Sequence, residues 1–190
     1  MESMKLAALI CIFALFCGMV GAQTAYRPEV DLWKDLDIWL YAGYGGGWLK
    51  EHKMIVATGG LSVDFKNRIR ISAYGVTFCE SMMLLTAPKY SFDGQGFQVG
   101  LVLPTDRVKF TPSIGYEYGE MKIGEGELNW NWFVHEYDSY RKEKISYIPF
   151  TVDIQVELFS WLALSGKVYH AENSDYPMQG FMFNICLGKI

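Results

Sequence analysis

The chain has 190 residues, of which 51% are hydrophobic and 16% aromatic, and its formal net charge is −4. This length fits one domain or one barrel. The acidic balance argues against a nucleic-acid-binding protein, which needs a basic face.

Residues 1–22 have the features of a secretory signal. Lys5 precedes an apolar run, and small residues lead up to Ala22. A charged start, a short apolar core and small residues before the cleavage point are typical of an exported protein. We therefore expect cleavage after Ala22. Residues 23–36 are expected to form a periplasmic or interfacial lead-in, either as a short helix or as an extended segment.

The rest of the chain alternates apolar and polar residues with a period of two. Between residues 146 and 158 the even-numbered positions are apolar: Ile148, Phe150, Val152, Ile154, Val156 and Leu158. Such alternation is typical of a strand with one apolar and one polar face. Similar segments recur, giving eight in all: 37–48, 53–65, 68–79, 94–103, 107–120, 146–158, 161–171 and 178–189.

The connections between these segments alternate in length. Those that follow the even-numbered segments are tight, whereas those that follow the odd-numbered segments are longer on average, and the longest covers 121–144. Outer-membrane barrels have short periplasmic turns and longer external loops. We therefore predict an all-β fold over 37–190, an eight-stranded antiparallel transmembrane up-and-down barrel in the outer membrane of a Gram-negative-type envelope. Within the longest connection, 126–137 is interpreted as a hairpin extension rather than a ninth strand.

The stretch YAGYGGGW places Gly43, Gly45 and Gly47 on the polar face of the first segment. It lacks the closing glycine and the following helix of a dinucleotide-binding loop, and no cofactor is expected. In a membrane barrel these glycines face the lumen, where they leave room for Arg70 or Tyr74. A soluble lipocalin-like carrier, with its apolar face around a ligand cavity, is the alternative architecture.

Charged residues occur on the face assigned to the lumen. An eight-stranded barrel has an interior just wide enough for side chains to fill, and an unpaired buried charge is strongly penalised. We therefore predict a closed lumen filled by a paired network of Arg70, Lys109, Glu117, Asp153, Glu157 and Lys167. Asp64 and Arg68 are on the same face, but we expect them at the wet strand end beside their tight turn.

Across 37–190 this architecture resembles the small eight-stranded outer-membrane barrels of the OmpA transmembrane-domain type. The resemblance implies a monomer surrounded by outer-membrane lipids, with an envelope-structural or surface-interaction function rather than an enzymatic one. The external connection 121–144 carries the expected contacts for a surface protein, glycan or lipid head group: Trp130, Trp132, Phe133, Tyr137 and Tyr140.

The segment VYHAENSDY, residues 168–176, resembles part of the outer-membrane lipid A 3-O-deacylase barrels. The resemblance implies a general base at His170. Glu172 occupies the position expected for the nucleophilic serine, and Ser174 is the nearest hydroxyl. A lipid A-modifying hydrolase is therefore the alternative function.

The cysteines that remain after signal cleavage, Cys79 and Cys186, lack metal-ligand spacing, and no metal site is expected. The barrel topology places them at opposite ends of their strands. We therefore predict that they do not form a disulfide.

Overall fold

The computed structural model describes residues 36–80, 88–131 and 134–188. The predicted signal peptide and nearly all of the predicted lead-in lie outside the described residues. In the described part of the chain, no helix is long and apolar enough to cross a membrane.

The described residues form nine strands, one of which is a two-residue continuation of its predecessor. β5 follows β4 after Val102, and both pair with β6, so the wall has eight strands at any level. The bounds are β1 Leu36–Leu49, β2 His52–Phe65, β3 Ile69–Glu80, β4 Tyr90–Leu101, β5 Leu103–Pro104, β6 Val108–Asn131, β7 Val134–Phe159, β8 Leu162–Glu172 and β9 Met178–Gly188.

Antiparallel pairing closes the sheet into a ring. The pairs run in the order β4-β3-β2-β1-β9-β8-β7-β6, and pairing between β4 and β6 joins the two ends. The first and last strands pair along their lengths, with Tyr44 opposite Phe183. Closure removes exposed sheet edges from the membrane level, where unpaired backbone groups are costly. The predicted eight-stranded barrel is confirmed.

The connections at one end of the barrel are tight, as expected. Between β2 and β3, Lys66 and Asn67 both have φ of 52°, and the Arg68 amide donates to the Phe65 carbonyl at 2.9 Å. Two successive positive φ values define a type I′ turn, whose twist matches that of the flanking strands. The β7–β8 connection is only Ser160 and Trp161.

The 121–144 segment differs from the predicted long loop. β6 continues to Asn131 and β7 begins at Val134, so most of this segment is a regular hairpin in which Met121 lies opposite Glu143. The interpretation of 126–137 as a hairpin extension is confirmed. The β1–β2 connection is as short as a tight turn, Lys50 and Glu51. The asymmetry between the barrel ends therefore comes partly from strand length.

The two faces of the wall follow the predicted alternation. Ile148 is 65% exposed, whereas its neighbour Tyr147 is 1% exposed and faces the lumen. The outer wall carries an apolar band with aromatic residues at its ends, including Phe159 and Trp161, whose rings stack 5.9 Å apart beside a tight turn. Such a surface suits lipid. In the lipocalin-like alternative this apolar face would enclose a cavity, whereas in this structure it lies on the outside of the barrel.

Candidate functional site

A cluster of charges fills the lumen next to the tight turns. The Arg70 guanidinium donates to both carboxylate oxygens of Asp64, at 2.6 and 2.9 Å, to Asp153 Oδ2 at 2.8 Å and to Gln155 Oε1 at 2.7 Å. These partners come from β2 and β7, so one side chain on β3 ties together strands on different sides of the barrel. Bidentate charge-assisted bonds of this kind are the strongest class of protein hydrogen bond.

Lys109 completes the cluster. Its Nζ lies 3.2 Å from Asp37 Oδ2, 3.2 Å from Asp64 Oδ2 and 3.1 Å from Glu157 Oε1. The expectation that Asp64 sits at a wet strand end was wrong, because its side chain is fully buried between Arg70 and Lys109. Asp64 is close to a turn in sequence but is not exposed to water, because Arg70 on β3 and Lys109 on β6 cover its carboxylate.

Glu117 and Lys167 lie apart from this cluster. Glu117 accepts hydrogen bonds from Tyr74 OH at 2.8 Å and Tyr169 OH at 3.0 Å. Lys167 Nζ lies 4.8 Å from the centre of the Tyr41 ring. Within the described residues, neither charge forms an ion pair. The structure thus brings together four of the six predicted network residues, and it places Glu117 beside two tyrosines and Lys167 beside one.

The external end of the lumen is apolar, which the sequence reading missed. Inward-facing side chains at this end pack into a fully buried layer: Leu49, Met54, Val56, Phe78, Phe92, Met121, Tyr147 and Met178. Beside the charged cluster, where Arg70 and Asp153 line it, the lumen leaves a cavity of only about 10 Å³, about the space of one water molecule. The barrel is therefore closed. The sequence does contain a signal for this apolar layer, because its inward-facing positions become apolar toward the external ends of the strands.

Gly43, Gly45 and Gly47 face inward, as predicted, but they do not make room for Arg70 or Tyr74. A Cβ atom added at Gly45 would lie 2.8 Å from Met182 Cα and closer still to the Phe181 carbonyl oxygen. The space beside Gly45 and Gly47 is therefore taken by the backbone of β9, and the space beside Gly43 is taken mainly by the Asn184 side chain.

The His170 segment lies on the outer wall. His170 Nε2 lies 3.6 Å from Glu172 Oε1, and both side chains are exposed. Ser174 is in the β8–β9 connection, and no hydroxyl of the described residues lies within hydrogen-bond distance of His170. The structure brings the predicted base and the neighbouring carboxylate together, but it does not add the nucleophile that ester hydrolysis needs.

The external hairpin contains a β-bulge. The register of β6 and β7 shifts between Glu125 and Leu128, and Gly126 has φ of 84°. Asp138 holds this bulge, since its Oδ2 accepts from the Glu127 amide at 3.0 Å and its Oδ1 from the Asn129 side chain. Bulges bend and twist a strand and interrupt its pairing edge.

Of the aromatic residues predicted for external contacts, Trp130, Tyr137 and Tyr140 belong to the strands of this hairpin. The Tyr137 and Tyr140 rings meet edge to face, with centres 6.2 Å apart, and Tyr140 is 39% exposed. Trp130 belongs to β6, and its backbone lies opposite that of His135. The structure does not describe the side chain of Trp130, and it does not describe Trp132 or Phe133.

The β8–β9 connection supports the base of the hairpin. Tyr147 OH donates to the Tyr176 carbonyl at 2.9 Å, and Lys50 Nζ lies 4.5 Å from the centre of the Tyr176 ring. Partial burial raises the pKa of the Tyr176 hydroxyl above its ordinary value, while a hydrogen bond from Arg141 opposes that shift. The hairpin is therefore fixed at its base and projects beyond it.

The described residues contain no cluster of three or more histidine, cysteine or carboxylate side chains able to hold a metal ion. Cys79 and Cys186 are both free thiols.

No protein-family model matches the sequence, and no curated protein matches it. Solved structures do match its fold. The attachment invasion locus protein Ail of Yersinia pestis aligns with a TM-score of 0.56 at 9% identity, covering 82% of this chain and 97% of Ail. Neisserial surface protein A aligns with a TM-score of 0.58 at 7% identity, covering 80% of this chain and 96% of that one. A second Ail structure, in complex with the heparin analogue sucrose octasulfate, aligns with a TM-score of 0.51 at 8% identity, covering 82% of this chain and 97% of Ail.

These neighbours are outer-membrane barrels of Gram-negative bacteria, and the outer-membrane localisation predicted from the sequence agrees with them. The closed ring of strands, the apolar outer wall and the filled lumen give this chain the fold of the small eight-stranded outer-membrane barrels.

Proposed function

We propose that this chain is a surface-interaction protein of the outer membrane, with the external hairpin as its working element and the closed barrel as its anchor. The observation that carries the proposal is the free edge of β7. The last pair between β7 and β8 is Ile148 with Glu172. Toward the hairpin tip, β7 pairs only with β6 among the described residues.

The two edges of the hairpin differ. On β6 the bulge at Gly126 interrupts the edge. On β7 the register runs without a shift from Val134 to Tyr137. A bulge protects an edge strand, whereas a regular edge accepts a further strand. The β7 edge therefore suits an extended segment of a partner protein.

The side chains beside this edge favour a protein partner over a polyanionic glycan. Tyr140 is exposed next to it, and aromatic residues dominate protein contacts. The two cations next to Tyr140 in sequence are already neutralised: Arg141 pairs with Glu125 and Glu143, and Lys142 pairs with Glu120. Ail has been solved with a heparin analogue, so sulfated glycan is the competing partner to test here.

The test uses the barrel in lipid nanodiscs and a phage library of random ten-residue peptides, with heparin-coated beads as a second ligand. One variant lacks residues 126–138, and an Asn-Gly turn joins Glu125 to Ser139, which are paired in the barrel. We expect the intact protein to enrich peptides with alternating apolar residues and the shortened variant to enrich none. Ser174→Ala alters the β8–β9 connection at the same end of the barrel and is the matched control; it should bind as the intact protein does.

Equal enrichment by the intact and shortened proteins would refute the hairpin as the interaction element. Capture on heparin that is lost with the hairpin, without peptide enrichment, would replace the protein partner with a glycan. Release of acyl chains from lipid A by the intact protein, abolished in Ser174→Ala, would instead favour the hydrolase.

A further inference from the structure

Two grooves run along the outer wall on either side of Tyr118. The first has a volume of about 520 Å³ and crosses β2, β3 and β4, with Ala57, Gly59, Gly75, Thr77, Asp93 and Gln95 among its lining residues. The second has a volume of about 460 Å³ and lies over β6 and β7, with Tyr116, Lys144 and Ser146 in its lining. Tyr118 is 51% exposed and forms the ridge that separates the two grooves.

The fold does not require the first groove. A Cβ atom added at Gly59 would lie 3.5 Å from the Tyr41 carbonyl oxygen, and one added at Gly75 would lie 3.8 Å from the Gly94 carbonyl oxygen. Both are ordinary contact distances, so either position has room for a side chain. The inward glycine Gly45, by contrast, has no such room. Barrel packing therefore does not explain why the outer wall has glycines at Gly59 and Gly75.

The wall beside the ridge changes from apolar to charged toward the external end. Successive outward pairs between β4 and β6 are Val99 with Ile114, Phe97 with Tyr116, Gln95 with Tyr118, Asp93 with Glu120 and Ser91 with Lys122. The Gln95 side chain donates to Tyr118 OH, and Lys122 Nζ lies 3.2 Å from Asp93 Oδ2. This sequence of layers matches the passage from acyl chains to head groups in a bilayer.

Each groove has a lysine at its charged end. Lys122 lies beside Asp93 at the end of the first groove. Lys144 lines the second groove opposite Glu120 on the neighbouring strand. Glu120 pairs with Lys142, at 3.3 Å, and Lys144 has no ion pair within the described part of the chain. A cation at head-group depth attracts a phosphate.

We propose that this face binds an outer-leaflet glycolipid with several acyl chains and a phosphorylated head group, the chemistry of lipid A. Acyl chains lie in the grooves on both sides of Tyr118, and a head-group phosphate meets Lys144. Two separate grooves fit a lipid with more chains than a single groove accommodates, and Lys144 matches a phosphate because Lys122 is already paired with Asp93. The inference rests on the barrel lying in the outer membrane and is independent of the hairpin's proposed function.

The test measures binding of lipid A to the purified, folded barrel in detergent by native mass spectrometry. Gly75→Leu fills the first groove, and Lys144→Gln removes the cation of the second. The matched controls are Ala42→Leu, in a groove lined by Leu40, Leu61, Ile185 and Leu187, and Arg107→Gln, an exposed cation at a tight turn of the opposite barrel end. Heat-modifiable gel mobility shows that every variant is folded.

We expect each groove variant to weaken lipid A binding by about fivefold or more, and each control to leave it unchanged within about twofold. The effect of Lys144→Gln should disappear with lipid A from which the phosphates have been removed. Groove variants that bind as the controls do would overturn the proposal. Equal binding of phosphatidylglycerol, with the same sensitivity to both variants, would also overturn it, because a two-chain anionic lipid would then suffice.

Discussion

At the scale of single residues, the barrel depends on one guanidinium. Arg70 is 5% exposed, and its donors meet Asp64, Asp153 and Gln155 across the lumen. Removing one partner of a buried ion pair leaves the others charged and uncompensated, which costs far more than the pair contributes. This cost can be measured against a control, because Arg68 is an exposed arginine close to Arg70.

We expect Arg70→Met to reduce the free energy of unfolding by about 3–5 kcal/mol, since the buried carboxylates lose their bidentate partner. Arg68→Met is the control, because Arg68 is exposed beside the type I′ turn, and its effect should stay within about 0.5 kcal/mol. Urea titration of the barrel in lipid vesicles, followed by tryptophan fluorescence, measures both. Equal effects of the two substitutions would show that the charged cluster does not stabilise the barrel.

The glycines of the first strand give a second comparison at this scale. Gly45 faces inward against the backbone of β9, whereas a Cβ at the adjacent Gly46 would meet the Phe181 ring at 3.4 Å and the Met54 carbonyl oxygen at 3.9 Å, both ordinary contacts. We expect Gly45→Leu to destabilise the barrel by about 1–3 kcal/mol or to prevent folding, because overpacking forces the backbone to move. Gly46→Leu should change stability by less than about 1 kcal/mol, since its side chain enters lipid. Urea titration distinguishes the two, and the reverse order of effects would mean that the inward and outward faces are exchanged.

At the scale of elements, the conformation of the external hairpin does not depend on how side chains pack in the lumen. Its bulge needs Gly126 at positive φ, and a Cβ there would lie 2.8 Å from Asp138 Cβ. A residue other than glycine in this conformation costs about 1–2 kcal/mol. The cost falls on the hairpin because no barrel strand other than β6 and β7 reaches this level in the described structure.

We therefore expect Gly126→Ala to accelerate hydrogen exchange of the hairpin amides by about five- to thirtyfold, the rate equivalent of that cost. The unfolding midpoint of the barrel should not move. Ser139→Ala, an exposed change on the facing strand, is the control and should leave exchange as it is. A matching shift in the midpoint with Gly126→Ala would show that the hairpin and barrel unfold as one unit.

The elements were more predictable from the sequence than their contacts. Period-two alternation identified the strands and their inward faces, because a strand exposes successive side chains to opposite sides. It could not reveal which luminal groups meet, since that depends on the register of strands far apart in sequence. Arg70 and Asp153 are an example: they lie on β3 and β7, and only the closed ring brings them to 2.8 Å. The same limit explains why Asp64 was assigned to water and why Glu117 was assigned to an ion pair.

At the scale of the whole molecule, two different layers close the lumen in series. The charged cluster around Arg70 lies near the tight turns, and the apolar layer around Phe78 and Phe92 lies at the external end. The cavity beside the charged cluster has a volume of only about 10 Å³. An ion crossing the barrel would have to displace paired charges and then enter an apolar layer, which is costly in both places.

This arrangement predicts how conductance depends on the two layers. In a planar lipid bilayer the intact protein should show no conductance steps. Arg70→Ala alone should show none, because the apolar layer still blocks the external end, and Phe92→Ala alone should show none, because the charged cluster remains. The combined variant opens both layers, and we expect discrete steps from it, provided that heat-modifiable gel mobility shows a folded barrel. Steps of the same size from Arg70→Ala alone would mean that the charged cluster is the single barrier and that the apolar layer serves only to pack the external strand ends.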